Sequence, residues 1–310
     1  MRYLPVAGLD RDVSQIVLGS AALAGLAAHD AHALLDVWLD LGGNMIDTAR
    51  LYDGGKSETV IGDWLEASGA RDRMMILTKG CHFDADGDRV SKTELDGDLE
   101  RSLKALKTDY IDLYLLHRDD TDIPAGDMVD WLAEHRASGR IRAFGGSNWS
   151  PDRVDEANAH AAKRGIPGFA AVSNYFGLAV ANEPIWPGCE MMGDEHVKWH
   201  GRTGIPNFAW SSQAQGFFSG RFRPERVDDP HIARTFYSEE NWRRLRRARD
   251  FGASLGKSAT QIACAYVLNQ AFRSFALVGP ETVQELTSCA EAAYINLSAD
   301  DLNLLAGVSN

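Results

Sequence analysis

Four polar residues of the sequence have side chains that together suit proton transfer to a carbonyl oxygen. They are Asp47, Tyr52, Lys79 and His117. A tyrosine hydroxyl has a reference pKa of about 10, so it is a weak acid or base at pH 7. A nearby lysine ammonium favours the phenolate and lowers that pKa, and an aspartate paired with the lysine keeps it charged. Since a histidine can hydrogen-bond the carbonyl oxygen, this set of residues predicts the interconversion of carbonyls and alcohols.

The four residues close or follow short apolar segments that are typical of buried strands. Asp47 ends one segment, Tyr52 lies in the loop after it, and Lys79 and His117 directly follow two others. The three segments are Asn44–Asp47, Met74–Thr78 and Tyr110–Leu116. In a parallel barrel the reactive side chains lie at the carboxyl ends of the strands, so we expect these four to converge on one face.

The whole chain alternates such segments with longer stretches of helical period. The remaining strands are predicted at Ser14–Leu18, Ile141–Phe144, Phe169–Ser173, Phe208–Ser211 and Phe275–Val278. Helices are predicted at His32–Leu41, at Ser57–Leu65 with Ser57 as the cap, along Leu95, Leu99, Leu103 and Leu106, at Met128–Ala137, at Pro151–Arg164 with Ser150 as the cap, and at Glu240–Leu255, Ala259–Gln270 and Thr282–Ala293.

Eight strand–helix units in 310 residues predict an α/β fold, a (β/α)8 TIM barrel. No linker divides the chain, so we expect residues 1–310 to form a single catalytic domain. Two long loops are predicted after the sixth and seventh strands, at 175–206 and 220–238. The alternative is a doubly wound open sheet, but Gly19–Gly25 does not match the GxGxxG pattern of a Rossmann domain.

Composition limits the classes of partner and compartment. The formal net charge is −12, from 32 basic and 44 acidic residues, which argues against nucleic acid or an anionic membrane as the main partner. The four cysteines are far apart and form no zinc-type spacing, so no metal site is predicted. The first residues lack the apolar core of a secretory signal, and we predict a cytoplasmic protein.

The motifs around these residues resemble those of the aldo-keto reductases along nearly the whole chain. They are the Asp-x4-Tyr pattern of Asn44–Tyr52, the strand ends Ile76–Lys79 and Asp112–His117, and the triplet Gly146–Asn148. The resemblance implies a (β/α)8 barrel that binds NADPH or NADH without a Rossmann domain. It further implies that Tyr52 is the general acid/base, that Lys79 and Asp47 tune it, and that His117 orients the carbonyl.

The same resemblance assigns residues to the cofactor. Ser147 and Asn148 would hold the nicotinamide carboxamide, with Ser173 nearby where relatives commonly have Gln. Trp210 would stack on the nicotinamide ring where relatives usually have Tyr. The pyrophosphate would face Ser211 and the loop from Gln213 to Arg221, which includes Gly216.

The chain departs from its relatives after the eighth strand. Many of them have Arg or Lys there for the adenosine 2′-phosphate, whereas no Lys or Arg follows Arg273 in this sequence. The segment that begins at Gly279 has Glu281 and Glu285 instead, and a carboxylate can accept a hydrogen bond from a free ribose hydroxyl. We therefore expect NADH to serve at least as well as NADPH, unless Arg221 or another basic residue of the long loop supplies the missing charge.

The substrate is less well defined by the sequence. Trp149, Arg118, Trp186 and Trp199–His200 are candidate wall residues by position, and they suit a sugar-like carbonyl or an anionic group. Two other functions remain open at this point. One is a regulatory protein of the same fold that binds the cofactor with little turnover. The other is a non-redox barrel enzyme that forms a Schiff base through Lys79. Oligomeric state is not readable from the sequence.

Overall fold

A closed parallel barrel of eight strands forms the centre of the computed structural model, which describes residues 1–84, 87 and 89–308. The barrel is preceded by an antiparallel hairpin of β1 (Tyr3–Leu4) and β2 (Val13–Ser14). The barrel strands are β3 (Ile16–Gly19), β4 (Met45–Asp47), β5 (Met75–Gly80), β6 (Ile111–Leu116), β7 (Ile141–Ser147), β8 (Ala171–Ser173), β9 (Asn207–Ala209) and β10 (Ser274–Val278). The predicted (β/α)8 barrel is confirmed.

The strands pair in chain order, and β10 closes the ring by pairing with β3, where Ala276 lies opposite Ile16. Apolar side chains fill the interior of the barrel, including Met75, Leu113 and Phe208. Val6 and Val13 of the hairpin region are buried in the same cluster. Gly8 of the hairpin loop lies against Arg142 and Ala143, at the start of β7. The hairpin therefore covers the end of the barrel opposite the carboxyl ends of the strands.

The helices surround the strands and bury their apolar faces against them. They are α1 (Ala28–Asp40), α2 (Lys56–Ser68), α3 (Lys92–Ala105), α4 (Ala125–Ala137), α5 (Pro151–Arg164), α6 (Asp194–Thr203), α7 (Pro230–Phe236), α8 (Glu239–Ser254), α9 (Ala259–Leu268), α10 (Val283–Glu291) and α11 (Ala299–Ala306). Ser150 caps α5 as predicted, because its side chain accepts a hydrogen bond from the Arg153 amide. Across the described residues, no helix combines the length and the apolar character that crossing a membrane requires.

Some local predictions are corrected by the structure. Ser57 does not cap α2, because the helix begins one residue earlier after Gly55, and the Ser57 hydroxyl instead donates to the Ser20 carbonyl at 3.1 Å. The two long connections are partly helical, since they contain α6 and α7. Polar residues interrupt the apolar period of both helices, which is why the sequence pattern did not reveal them.

Candidate active site

The predicted group at the ends of β4 and β5 comes together in the structure. Lys79 is buried in β5, and its ammonium pairs with the carboxylate of Asp47 on the neighbouring strand. The same Nζ atom donates to the Thr48 carbonyl at 2.9 Å and lies 3.4 Å from the Tyr52 hydroxyl. The phenol of Tyr52 therefore lies next to a fixed positive charge.

The turn that carries Tyr52 is held by a neighbouring arginine. Asp53 and Gly54 adopt left-handed backbone conformations with φ of 47° and 62°. The Arg50 guanidinium donates to the Gly54 carbonyl at 2.8 Å and pairs with Glu58 at 2.7 Å. It fills the space beside Gly55, where a Cβ atom would lie 0.9 Å from an Arg50 nitrogen. Only glycine fits at this position while Arg50 keeps its place, so the turn has a defined shape.

His117 follows β6 and faces the same centre. Its backbone amide donates to the Gly80 carbonyl at 2.8 Å, which fixes the strand end. Its ring centroid lies 6.0 Å from that of Tyr52 and 4.7 Å from that of His82, both in edge-on geometry. The Nδ1 atom is buried without a hydrogen-bond partner. The four predicted residues are thus neighbours at one end of the barrel.

Burial controls the protonation states of this group. Burial raises the pKa of Tyr52, and Lys79 opposes that shift without cancelling it. The expectation that Lys79 lowers the Tyr52 pKa therefore describes one effect correctly but misses the larger one. Burial disfavours the Lys79 ammonium, yet Asp47 and Tyr52 outweigh it and raise its pKa. Burial together with Lys79 holds the pKa of His117 well below its ordinary value. At neutral pH the centre thus contains a protonated phenol, an ammonium and a neutral imidazole.

A cavity of about 310 Å³ opens beside Lys79 and His117. Its wall combines the apolar side chains of Leu51 and Phe83 with charged and polar ones. The charged and polar lining side chains are Arg50, Lys79, His82, Asp84, Arg89, Asp98, Arg101 and His117. The space lies next to Lys79 and His117, so a small substrate has room beside them.

Ser147 and Asn148, at the end of β7, are linked to the same centre. The Asn148 amide nitrogen donates to the Ser147 hydroxyl at 3.1 Å and to the His117 carbonyl at 3.4 Å. The Asn148 oxygen accepts from the Glu190 amide, and its backbone is left-handed with φ of 61°. The Ser147 hydroxyl donates to the Ser173 carbonyl at 2.9 Å, and the fully buried Ser173 hydroxyl donates to Phe208. The Ser173 hydroxyl is therefore used in a hydrogen bond between two neighbouring strands of the barrel.

Sequence reasoning missed Asn174, which supports this strand end from the next strand. Its side-chain amide donates to the Trp149 carbonyl at 2.9 Å and its oxygen accepts from the Trp149 amide at 3.2 Å. Its own amide donates to the side chain of Asn207 at 2.9 Å. The signal available in the sequence was a polar residue directly after a strand, at the same position as Asn148 one strand earlier.

The end of β9 carries the predicted stacking residue and an irregular backbone. The Trp210 ring lies 5.4 Å from that of Tyr175 and 5.6 Å from that of Trp186, and its indole nitrogen is buried without a partner. The left-handed positions in the following segment are Ser211, Ala214, Gln215 and Gly216. Left-handed non-glycine residues are costly and concentrate at ligand sites, so this segment suits binding of a ligand by backbone groups.

The remaining residues that were predicted to bind the cofactor lie in different parts of the structure. Gln213 is tied to α9 and α10 through the Thr260 carbonyl and the Cys289 sulfur. Arg221 donates to the Gln215 carbonyl at 3.0 Å, against Gly216. Beside Gly279, a Cβ atom would meet nothing within 4 Å. Glu285 accepts from the Glu281 amide at 2.9 Å at the start of α10. In the described part of the chain, no hydrogen bond or ion pair joins Arg221 to either glutamate.

These observations fit a nicotinamide dinucleotide. β9 and β10 are adjacent in the barrel, so the unpartnered indole of Trp210, the left-handed segment and the open space at Gly279 share one rim. Ser147 and Asn148 bring amide and hydroxyl groups to that rim from β7. As for metals, the described side chains include no group of three or more His, Cys, Asp and Glu able to hold an ion.

Comparison with known proteins identifies the family of the chain. The profile of the Aldo/keto reductase family matches residues 15–310. An uncharacterized oxidoreductase of Bacillus subtilis is 26% identical, over 89% of this chain and 85% of the relative. An aryl-alcohol dehydrogenase [NADP(+)] of Phanerodontia chrysosporium is 26% identical, over 96% and 83%. A norsolorinic acid reductase of Emericella nidulans is also 26% identical, over 96% and 78%. The chain belongs to the aldo/keto reductase family and is an NAD(P)-dependent oxidoreductase, as the strand-end motifs predicted.

Proposed function

We propose that the protein reduces an aldehyde or ketone to the alcohol, with Tyr52 as the proton donor. The observation that carries this proposal is the contact of the Tyr52 hydroxyl with Lys79, which is itself paired with Asp47. A nicotinamide cofactor, which Ser147, Asn148 and Trp210 would hold, would supply the hydride for the carbonyl carbon. Tyr52 gives its proton to the carbonyl oxygen, so that the product is a neutral alcohol and Tyr52 is left as a phenolate.

Each neighbour of Tyr52 has a task in this reaction. The Lys79 ammonium stabilises the phenolate that forms, and Asp47 keeps Lys79 charged and in place. His117 is neutral because its pKa is lowered by burial. With Nδ1 buried and unpartnered, we assign the imidazole hydrogen to Nε2, which donates to the carbonyl oxygen and turns it toward Tyr52. The predicted roles of Ser147 and Asn148 at the nicotinamide carboxamide complete the arrangement.

Replacing Tyr52 by Phe tests the proposal. The variant removes only the hydroxyl, so we expect kcat for aldehyde reduction to fall by a factor on the order of 10³ because the proton donor is lost. Cofactor affinity, measured by quenching of tryptophan fluorescence, should stay close to that of the wild type. Tyr3→Phe, at an exposed tyrosine of the hairpin, is the matched control. Near-normal turnover by Tyr52→Phe would rule out the assigned role.

The structure gives no support to the Schiff-base alternative. A nucleophilic lysine needs an unprotonated amine, whereas Asp47 and Tyr52 outweigh burial and raise the pKa of Lys79. The regulatory alternative differs from an enzyme only in turnover. A panel of aldehydes, ketones and sugar-like carbonyls, followed by the absorbance of the reduced nicotinamide, separates the two, and borohydride trapping tests for the Schiff base.

We further propose that NADH is used at least as well as NADPH. Glu281 and Glu285 lie at the start of α10, a helix with no basic residue, and Arg221 is bonded to the Gln215 carbonyl. A carboxylate repels a 2′-phosphate and accepts a hydrogen bond from a ribose hydroxyl. In steady-state kinetics with both cofactors, we expect Glu281→Arg to improve kcat/KM for NADPH about tenfold and to lower that for NADH, whose ribose hydroxyl loses a hydrogen-bond acceptor. A hundredfold preference of the wild type for NADPH would contradict the proposal.

A further inference from the structure

Arg118 is a buried cation beside the reactive centre that the proposed proton transfer does not use. It directly follows His117, and only 8% of its surface is exposed. Its Nη1 donates to the His117 carbonyl at 2.9 Å, and its Nη2 makes a long contact of 3.6 Å with the Cys189 sulfur. Its Nε is buried and has no hydrogen-bond partner among the residues that the structure describes. The guanidinium has five N–H donors, but the contacts described for it are with one carbonyl and one weak sulfur acceptor.

The three arginines that line the cavity are neutralised by carboxylates of the fold. Arg50 pairs with Glu58, and Arg89 and Arg101 both pair with Asp98. By contrast, none of the ion pairs found among the described residues includes Arg118. Guanidinium groups stay protonated in proteins, and a buried charge without a counterion destabilises the fold. Burial accordingly lowers the pKa of Arg118 from its ordinary value. The charge of Arg118 therefore calls for an anion that the described residues do not provide.

The guanidinium lies beside the Phe83 ring, which forms part of the cavity wall. Its central carbon is 5.4 Å from the ring centre of Phe83, and Phe83 lines the cavity together with Lys79 and His117. Its charge also reaches Tyr52, where it opposes the rise in pKa that burial causes. An anion bound by Arg118 would thus lie close to Phe83 and Tyr52, and so close to the reacting carbonyl.

We propose that Arg118 binds a carboxylate of the substrate, so that the preferred substrates are carbonyl compounds that also carry a carboxylate group. This inference rests on the proposed carbonyl reduction and names its substrate class. A guanidinium presents paired N–H donors that match the two oxygens of a carboxylate, and such charge-assisted pairs are among the strongest hydrogen bonds. The free Nε of Arg118 and its weakly engaged Nη2 form one such pair of donors. The aromatic face of Phe83 suits an aryl or similarly flat body between the two functional groups.

Two aldehydes of nearly equal size test this preference. 4-Formylbenzoate carries a carboxylate, and 4-formylbenzamide replaces it with a neutral amide; the 3-formyl isomers extend the comparison to a second spacing. For at least one pair, we expect the wild type to reduce the aldehyde that carries the carboxylate with a kcat/KM about thirtyfold higher than the aldehyde that carries the amide. Arg118→Met should lose that preference while still reducing the amides, and Arg118→Lys should keep part of it. The control Arg246→Met changes an exposed arginine on α8 and should behave as the wild type.

Two readouts separate a binding role from a structural one. Replacing an unpaired buried cation by Met should raise the thermal unfolding midpoint, whereas a drop in midpoint would indicate that Arg118 serves the fold. Calorimetry with benzoate should show binding at least tenfold weaker in Arg118→Met than in the wild type, and equal binding would overturn the inference. Equal kcat/KM values of the wild type for the aldehydes with a carboxylate and those with an amide would also overturn the inference. If the wild type reduces neither these aldehydes nor any compound of the wider carbonyl panel, the proposed function is contradicted instead. The benzoate measurement then decides by itself whether Arg118 binds a carboxylate.

Discussion

The protonation state of Tyr52 results from two opposing effects at the level of single residues. Burial raises the pKa of the phenol, and the Lys79 ammonium at 3.4 Å favours the phenolate. Because burial is the larger effect, Tyr52 holds its proton at neutral pH and is ready to give it to a carbonyl oxygen. The reverse reaction, oxidation of an alcohol, needs the phenolate and should be favoured at higher pH.

The Lys79→Met variant tests this balance through the pH profile. Reduction should be constant through neutral pH and decline at alkaline pH, where Tyr52 loses its proton. Without the ammonium, the pKa of Tyr52 rises further, so the alkaline decline should move to higher pH. The maximal kcat/KM should also fall by a factor on the order of 10².

The control for this experiment is Lys92→Met, which removes a lysine that pairs with Asp96 and Glu134 away from the centre. Its pH profile should match that of the wild type. An alkaline decline at the same pH in Lys79→Met and the wild type would show that Lys79 does not tune Tyr52.

The sequence was sufficient to predict that Asp47, Tyr52, Lys79 and His117 lie together, because strand order alone places strand ends next to one another. It could not give the direction of the Tyr52 pKa, which depends on how much water the fold excludes. Asn174 was missed for a related reason. Its importance lies in hydrogen bonds to Trp149, a residue on another strand end, and no spacing in the chain indicates such a pair.

At the level of elements, the contact between β7 and β8 sets the position of Ser147 and Asn148. Gly145 lies opposite Ala171 of β8, and a Cβ atom there would be 2.0 Å from the Ala171 carbonyl oxygen. The glycine therefore lets two strands approach where a larger residue would push them apart. Strand spacing at this point controls the strand end that the proposal places at the nicotinamide.

Gly145→Ala should consequently lower the free energy of unfolding by about 3 kcal/mol, since the added methyl group meets backbone that cannot move aside. Gly279→Ala is the matched control, because its added methyl group has open space around it and should change stability little. Denaturant unfolding measures both. If the cofactor approaches the backbone at Gly279, that variant should also bind NADH several-fold more weakly. Equal stabilities of the two variants would contradict this account of the β7–β8 contact.

Strands and helices could be predicted where a segment is apolar with one clear period. They could not be predicted where polar contacts determine the structure of the segment. All eight barrel strands were placed within a few residues of their positions. By contrast, α6 begins after Gly193 and exposes most of its charged residues, and α7 has only seven residues. Neither helix has a long apolar stripe, so the sequence pattern predicts loops for both connections. Ser57 had the composition of a cap, but Ser20 competes for its hydroxyl.

At the scale of the whole molecule, buried neutral histidines make folding sensitive to acid. Burial lowers the pKa of His200 to about 4, and burial with Lys79 holds that of His117 well below its usual range. In the unfolded chain both rings take up a proton near pH 6.5. Below that pH the unfolded state binds more protons than the folded state, so the free energy of unfolding must fall as pH falls.

His200→Asn isolates the contribution of one ring to this loss. His200 Nδ1 contacts the Ile205 carbonyl at 2.7 Å, and the ring stacks on Phe272, so the asparagine amide can keep the hydrogen bond without titrating. Between pH 6.5 and 4, the wild type should lose about 3 kcal/mol more stability than the variant, as expected for one proton over that interval. Denaturant unfolding at a series of pH values measures this difference. His29→Asn, at an exposed histidine, should lose stability as the wild type does. Parallel curves for the wild type and His200→Asn would mean that His200 is protonated in the folded protein as readily as in the unfolded chain.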